Sequence, residues 1–208
     1  APRAPAMPPP SDALGLLQKA VAAIDSHFAQ ADVPGTTKRL DQLGNDQSNK
    51  EIAVLVRGQL CTALSRVLLH GFKSFKLIGR YHIWDFVQQA CDAHQLRIQK
   101  GGGTSEAERT MAKAVADVNH LSGEAGPANN PNIKFRSFVC SGLNNGMMHE
   151  WICVMTADAD TMGKFYEAWA FVRLSDDTVK QMTRALAPLA NHKFALSLDY
   201  ETSRWDLH

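Results

Sequence analysis

The chain has 208 residues, 45% of them hydrophobic and 21% charged, with a formal net charge of +1. This composition excludes a disordered or fibrous protein, and the near-neutral charge excludes wholesale electrostatic binding to nucleic acid while leaving room for a local patch. A single domain of this length buries roughly 70% of its unfolded surface, and one domain is the expectation.

Residues 1–10, APRAPAMPPP, carry too few backbone donors for a helix and are expected to form an extended, flexible Pro-rich tail; a ligand for a Pro-binding domain is the less favoured reading. The chain starts at Ala rather than Met, as an excised domain or a tag remnant does. Residues 11–208 are then the folded domain. Ser11 and Asp12 are placed to cap a first helix with Leu14, Leu17, Val21, Ile24 and Phe28 on one side, ending near Val33-Pro34-Gly35. Thr36 to Lys50 is polar and reads as a loop.

The stretch from about Asn49 to His70 carries the longest apolar periodicity, with Ile52, Leu55, Val56, Leu60, Ala63, Leu64, Val67 and Leu68 at three-and-four spacing. It predicts a core helix about 33 Å long. Gly71 supplies a left-handed stop, and Phe72 is expected to fold back on the last helical turn. From Ile52 to Trp84 there is no acidic residue, whereas Arg57, Arg66, Lys73, Lys76 and Arg80 are basic. The segment after Gly71 reads as a short connection in which Phe72, Phe75, Leu77 and Ile78 anchor the backbone while Lys73, Lys76 and Arg80 project outward.

A third helix is predicted through Trp84, Val87, Ala90 and Cys91, ending at Gly101-Gly102-Gly103. Thr104 or Ser105 caps a fourth, with Glu106 and Glu108 in its first turn and Met111, Ala114, Val115, Val118 and Leu121 inward. After a loop from Ser122 to Asn130, Pro131 opens a fifth that carries Phe135, Phe138, Val139 and Leu143 to a stop at Asn144-Asn145-Gly146. Met147, Met148, Trp151, Ile152 and Met155 build a sixth, followed by a short helix over Asp158–Tyr166 and an apolar segment from Ala168 to Val172. The last strong helix has Ser175 as its cap, Asp176 and Asp177 in its first turn, Val179, Met182, Leu186 and Leu189 buried, and Pro188 stopping it. Phe194 to Tyr200 alternates with period two but has no partner strand, so it reads as helix or extended tail. The sum is an all-α globule of about eight helices.

Four cysteines, at 61, 91, 140 and 153, form no C-x-x-C pair and lie on apolar-periodic stretches, so they read as reduced core thiols of a cytosolic protein. No apolar signal region opens the sequence, and no run approaches the length of a transmembrane segment. His149-Glu150-Trp151-Ile152-Cys153 is similar to the zinc helix H-E-x-x-H, with Cys153 in place of the second His and no third ligand apparent; a partly exposed His beside a buried Cys is favoured. Cys140 or Cys61 with one of the eight histidines is the alternative of a thiol hydrolase, disfavoured because apolar surroundings make a thiol inert. Lys100-Gly-Gly-Gly-Thr-Ser105 has glycines before a helix but neither the Walker order nor a preceding strand, and reads as an interhelical loop. Met147, Met148 and Trp151 read as core rather than as a binding groove. The loop cations Lys73, Lys76 and Arg80, with Arg66, are the candidate partner-binding residues, a surface complementary to an acidic protein or, alternatively, to acidic lipid.

Several blocks in order carry a family resemblance. Leu68-Leu69-His70-Gly71-Phe72-Lys73 followed by Trp84-Asp85-Phe86 resembles the signature block of RUN domains. Phe135-Arg136-Ser137-Phe138, Gly142-Leu143-Asn144, Trp151, Tyr166-Glu-Ala-Trp-Ala-Phe171 and the stretch from Leu186 to Leu198, a leucine-rich final helix in the family, are similar to its later blocks. Leu43-Gly44-Asn45, Gly58-Gln59-Leu60-Cys61 and the Phe135 block look closest to adaptors that combine RUN and SH3 domains. The resemblance implies an all-helical interaction module, without catalytic residues or cofactors. It further implies cytoplasmic adaptors, on vesicles or cytoskeleton, that bind small GTPases of the Rap and Rab groups or kinesin-associated motor proteins. The exposed faces of the first and last helices are a second candidate site.

Overall fold

The computed structural model describes residues 10–31, 50–73, 75, 79–122 and 129–198. The expected Pro-rich tail, the end of the first helix at Val33-Pro34-Gly35, the polar loop from 36 to 49 and most of the loop after Ser122 lie outside them. Among the described residues there are nine helices and no strand. They are α1 (Pro10–Ala31), α2 (Lys50–Leu69), α3 (Ile83–Gln99), α4 (Glu106–Ser122), α5 (Pro131–Asn144), α6 (Met148–Thr156), α7 (Ala159–Phe165), α8 (Phe171–Leu174) and α9 (Asp176–Leu186).

The heptad-like spacing in α1 does what it predicts, since Leu17, Val21 and Ile24 are buried against α2. The helix begins one residue earlier than expected, with Pro10 at its start, so Ser11 and Asp12 lie inside the first turn. In α2 the predicted stripe is buried from Ile52 through Leu68 except Leu55, which is half-buried, and the helix is not regular: Leu55–Leu60 is a π-helical segment. Its widened turn contains Gly58 and sends Arg57 out to donate to the carbonyl of Ser197 at 2.7 Å. By length and mean hydropathy α2 resembles a membrane span, yet Val56, Leu60, Leu64 and Leu68 are closed into the core as in any central helix.

Helix ends follow local chemistry. Ser105 and Glu108 form a reciprocal capping box at the start of α4, the Ser105 N–H donating to the Glu108 carboxylate at 2.7 Å and the Glu108 N–H to Ser105 Oγ at 3.2 Å. Asn130 caps α5 through the Asn132 N–H, and Asp158 caps α7 through the Thr161 N–H. Gly146, at φ +66°, ends α5 as predicted, in a Schellman motif whose Gly146 and Met147 N–H groups donate to the carbonyls of Leu143 and Gly142.

Three expectations are corrected. Ser175 sits at the head of α9 without a side-chain capping bond, because the Thr178 N–H that it would accept donates to the Ser175 backbone carbonyl at 3.2 Å. Leu121, in the last turn of α4, is 51% exposed rather than inward. The leucine-rich final helix implied over Leu186–Leu198 does not form: α9 stops at Leu186, just before Pro188 as expected, and the chain continues through a 3-10 turn, Ala187–Asn191. The extended alternative for the tail is the one adopted. Phe194 and Leu196 point into the core, and Asn144 holds the Leu196 backbone at both its N–H and its carbonyl, at 2.9 and 2.8 Å. A side-chain amide thus replaces the missing partner strand. One continuous core runs from Ala13 to Leu196.

Candidate functional site

Two chain segments about a hundred residues apart meet at the end of α2. His70 (φ −68°, ψ 112°) and Gly71 (φ +71°), with the Phe72 N–H donating to the Leu69 carbonyl at 3.1 Å, form a type II β-turn. Gly71 is needed twice there. Its φ suits glycine, and an added Cβ would stand 2.5 Å from the Cα of Ala170. The turn is laced to the 163–171 segment by three backbone donors. Glu167 N–H donates to the Gly71 carbonyl at 2.9 Å, Lys73 N–H to the Phe165 carbonyl at 2.8 Å and Phe171 N–H to His70 Nδ1 at 3.0 Å; Phe72 and Tyr166 form an isolated antiparallel bridge. Phe72 packs on Phe165 and Tyr166, a long-range pairing beyond the local cap expected of it. Burial pushes the Tyr166 hydroxyl pKa well above its ordinary value, so this ring is core.

Outside this crossing the surface changes character. Leu69, Phe75, Trp169 and Leu174 are 46%, 74%, 53% and 54% exposed, and Arg66, Arg80 and Arg173 are exposed as well, although one Arg173 Nη donates to the Tyr166 carbonyl at 2.8 Å. Arg66 stands one turn before Leu69 on the exposed side of α2, and α8 packs against the same half of that helix. Arg80 pairs with Phe75 across a second isolated bridge and lays its guanidinium over the ring, 5.6 Å from the centroid. Trp169 meets the His70 ring edge-on at 5.5 Å. Large apolar groups exposed beside cations are where a partner finds both buried area and orientation.

The predicted residues divide. Arg66 and Arg80 are on this surface. Lys76 lies outside the described residues, as do Leu77 and Ile78. Lys73 is a correction, because its ammonium turns inward and donates to the Gly163 carbonyl at 2.7 Å. The last turn of α7 leaves carbonyls without helical partners, and a lysine there completes them and suits the helix dipole. Phe75, expected as an anchor, is the residue that points out. Sequence reasoning missed Leu69, Phe75, Trp169, Leu174 and Arg173 as surface groups. The one available signal was the Tyr166–Phe171 block, in which Ala170 and Phe171 take the core positions and leave Trp169 outside.

The other candidates separate from this surface. Burial raises the thiol pKa of Cys61, Cys91 and Cys140, that of Cys91 to about 11. Cys153 is exposed, a correction to the buried thiol expected, because α6 buries Trp151, Ile152 and Met155 on its other side. Among the described residues no group of three or more His, Cys, Asp or Glu side chains is placed to hold a metal. The triple glycine is a helix stop: with Gly101 at φ +90°, the Gly101 and Gly102 N–H groups donate to the carbonyls of Ile98 and Arg97 in a second Schellman motif. Those amides are spent within the fold and do not face a phosphate. A depression of about 950 Å³ between α3 and α7 has several of its polar rim groups tied internally: Arg97 to Glu108, Lys164 to Gln89 and Asp158 to Thr161.

The sequence pattern of the RUN domain matches residues 59–200. The protein named Small G protein signaling modulator 3 is 31% identical to this chain over 182 residues in Bos taurus, 30% in Homo sapiens and 28% in Xenopus laevis. Each alignment covers 79% of this chain and 24% of the relative, so the chain spans about a quarter of those proteins. With the all-helical fold and the crossing of the Leu69–Lys73 and Tyr166–Phe171 blocks, this places the chain in the RUN domain family.

Proposed function

We propose that this chain is a non-enzymatic interaction module that engages a small GTPase, of the Rap or Rab class, through the surface around Trp169, Leu69, Phe75 and Leu174 with Arg66, Arg80 and Arg173. The observation that carries the reading is the exposure of Trp169 and Phe75, with Arg80 laid over the Phe75 ring, on a backbone scaffold held by hydrogen bonds across a hundred residues. Rigid aromatic side chains and arginines are the groups that dominate binding energy at interfaces. The names of the relatives, which refer to small G protein signalling, point to the partner class. The raised thiol pKa values and the internally satisfied glycine loop support the non-enzymatic part. A cytoplasmic adaptor role in vesicle traffic, with a kinesin-associated protein as the other partner class, belongs to the same proposal.

The test is binding to a panel of purified small GTPases, each loaded with GDP or a GTP analogue. Trp169→Ala is expected to weaken the cognate pair by about 30-fold, the size of an interface hot spot. Arg66→Glu with Arg80→Glu is expected to slow association and to reduce its salt dependence. Binding unchanged in all these variants would remove this surface from the reading. Salt-dependent co-sedimentation with anionic vesicles, lost in the arginine variants, would instead assign the face to lipid.

A further inference from the structure

We infer that His70 is a positioning residue for Trp169, acting through Nδ1 as a cap on α8; the inference rests on the proposed role of the Trp169 surface. Trp169 lies in a two-residue turn between the Tyr166 bridge and α8, and packing alone does not hold a ring that is 53% exposed. The turn is closed by the Ala170 N–H donating to the Glu167 carbonyl at 3.0 Å, and it is tied to the rest of the fold at its two ends. At one, the Glu167 N–H is bound by the Gly71 carbonyl; at the other, the Phe171 N–H is bound by His70 Nδ1 at 3.0 Å. Phe171 is the first residue of α8, and Ala170 before it offers no side-chain acceptor, so the donor has been given one from α2. The same imidazole stands edge-on to Trp169 at 5.5 Å. One side chain thus anchors the backbone two residues after the tryptophan and limits the swing of its ring. A pre-ordered aromatic anchor loses less conformational entropy on binding.

Two variants separate the acceptor from the ring. In His70→Asn, Oδ1 occupies the place of Nδ1 and keeps an acceptor for Phe171. In His70→Phe the ring remains but the acceptor is gone. Iodide quenching of tryptophan fluorescence, with Trp169→Phe giving the background of the other three tryptophans, reads the indole directly and needs no partner. The expected result is a rise in quenching in His70→Phe, at most about twofold from the present 53% exposure, with near-native quenching in His70→Asn. GTPase affinity is expected to fall about three- to tenfold in His70→Phe and to be largely retained in His70→Asn.

Equal quenching in all three proteins, or an equal rise in both variants, overturns the assignment to Nδ1. Amide exchange in the unaltered protein provides a reading independent of any variant's folding: Phe171 N–H is expected to be protected, and exchange at the rate of an open amide overturns the cap. If quenching behaves as expected while Trp169→Ala leaves every GTPase affinity unchanged, the positioning stands and the proposed binding face falls.

Discussion

Lys73 and Arg80 are two cations of one short basic loop, yet their side chains do different work. The Lys73 ammonium reaches the Gly163 carbonyl, while Arg80 lies on the outer side over Phe75. Lys73→Met keeps the aliphatic stem and deletes only the donor, so it is expected to lower unfolding stability by about 1 kcal/mol, the usual net value of such a bond. Arg80→Ala is expected to change stability by less than about 0.5 kcal/mol, as exposed substitutions generally do. Urea titration of both variants checks this, and equal losses would mean that Arg80 also has a structural role. A basic run in a sequence shows charge but not its target, and the carbonyl that claims Lys73 is 90 residues away. Gly71 was legible as a left-handed residue, since glycine next to a helix end has few other uses; its contact with Ala170 was not. Trp169 was invisible as a surface group for a related reason, because a short block rich in Ala, Trp and Phe does not say which member is left out of the core.

At the scale of elements, the helices were legible where the 3.6-residue period repeats over several turns, and α1 through α6 follow it closely. Misses cluster at ends, as at Leu121 in the last turn of α4, or where a backbone carbonyl takes the N–H that a side-chain cap would accept, as the Ser175 carbonyl does with that of Thr178. The glycine run between α3 and α4 shows how a composition signal divides into distinct roles. Gly101 has φ +90°, whereas Gly103 has no positive φ and nothing within 4 Å of an added Cβ. Gly101→Ala is therefore expected to cost about 1–2 kcal/mol for the left-handed backbone. Gly103→Ala is expected to be neutral or stabilising by up to about 1 kcal/mol, through reduced freedom of the unfolded chain. Thermal unfolding of the two variants side by side distinguishes them, and equal midpoints would mean that the stop of α3 does not depend on Gly101.

The whole molecule is larger than the segment that carries the family pattern. That pattern begins at residue 59, inside the π-helical part of α2, and omits α1 entirely. The core does not respect this boundary. Leu17, Val21 and Ile24 of α1 are 0%, 4% and 0% exposed, and α1 lies against both halves of α2 and against α9. Burying three such side chains contributes about 1.5–3 kcal/mol each, or roughly 5–9 kcal/mol together. A whole domain is stable by only about 5–15 kcal/mol. Removing residues 1–58 also uncovers the faces of Leu60 and Leu64 that α1 closes. At the other end, the arm pinned by Asn144 and Arg57 closes the chain back onto α2 and α5. A fragment of residues 59–208 is thus expected to keep helical far-ultraviolet circular dichroism but to lose its near-ultraviolet signal, bind hydrophobic dye and unfold without a sharp transition, the signs of lost specific packing. A fragment of residues 10–208 is expected to unfold as cooperatively as the whole chain. If the shorter fragment instead unfolds cooperatively within about 2 kcal/mol of the whole chain, α1 is an accessory rather than a wall of the core, and the π-helical turn of α2 tolerates an open side.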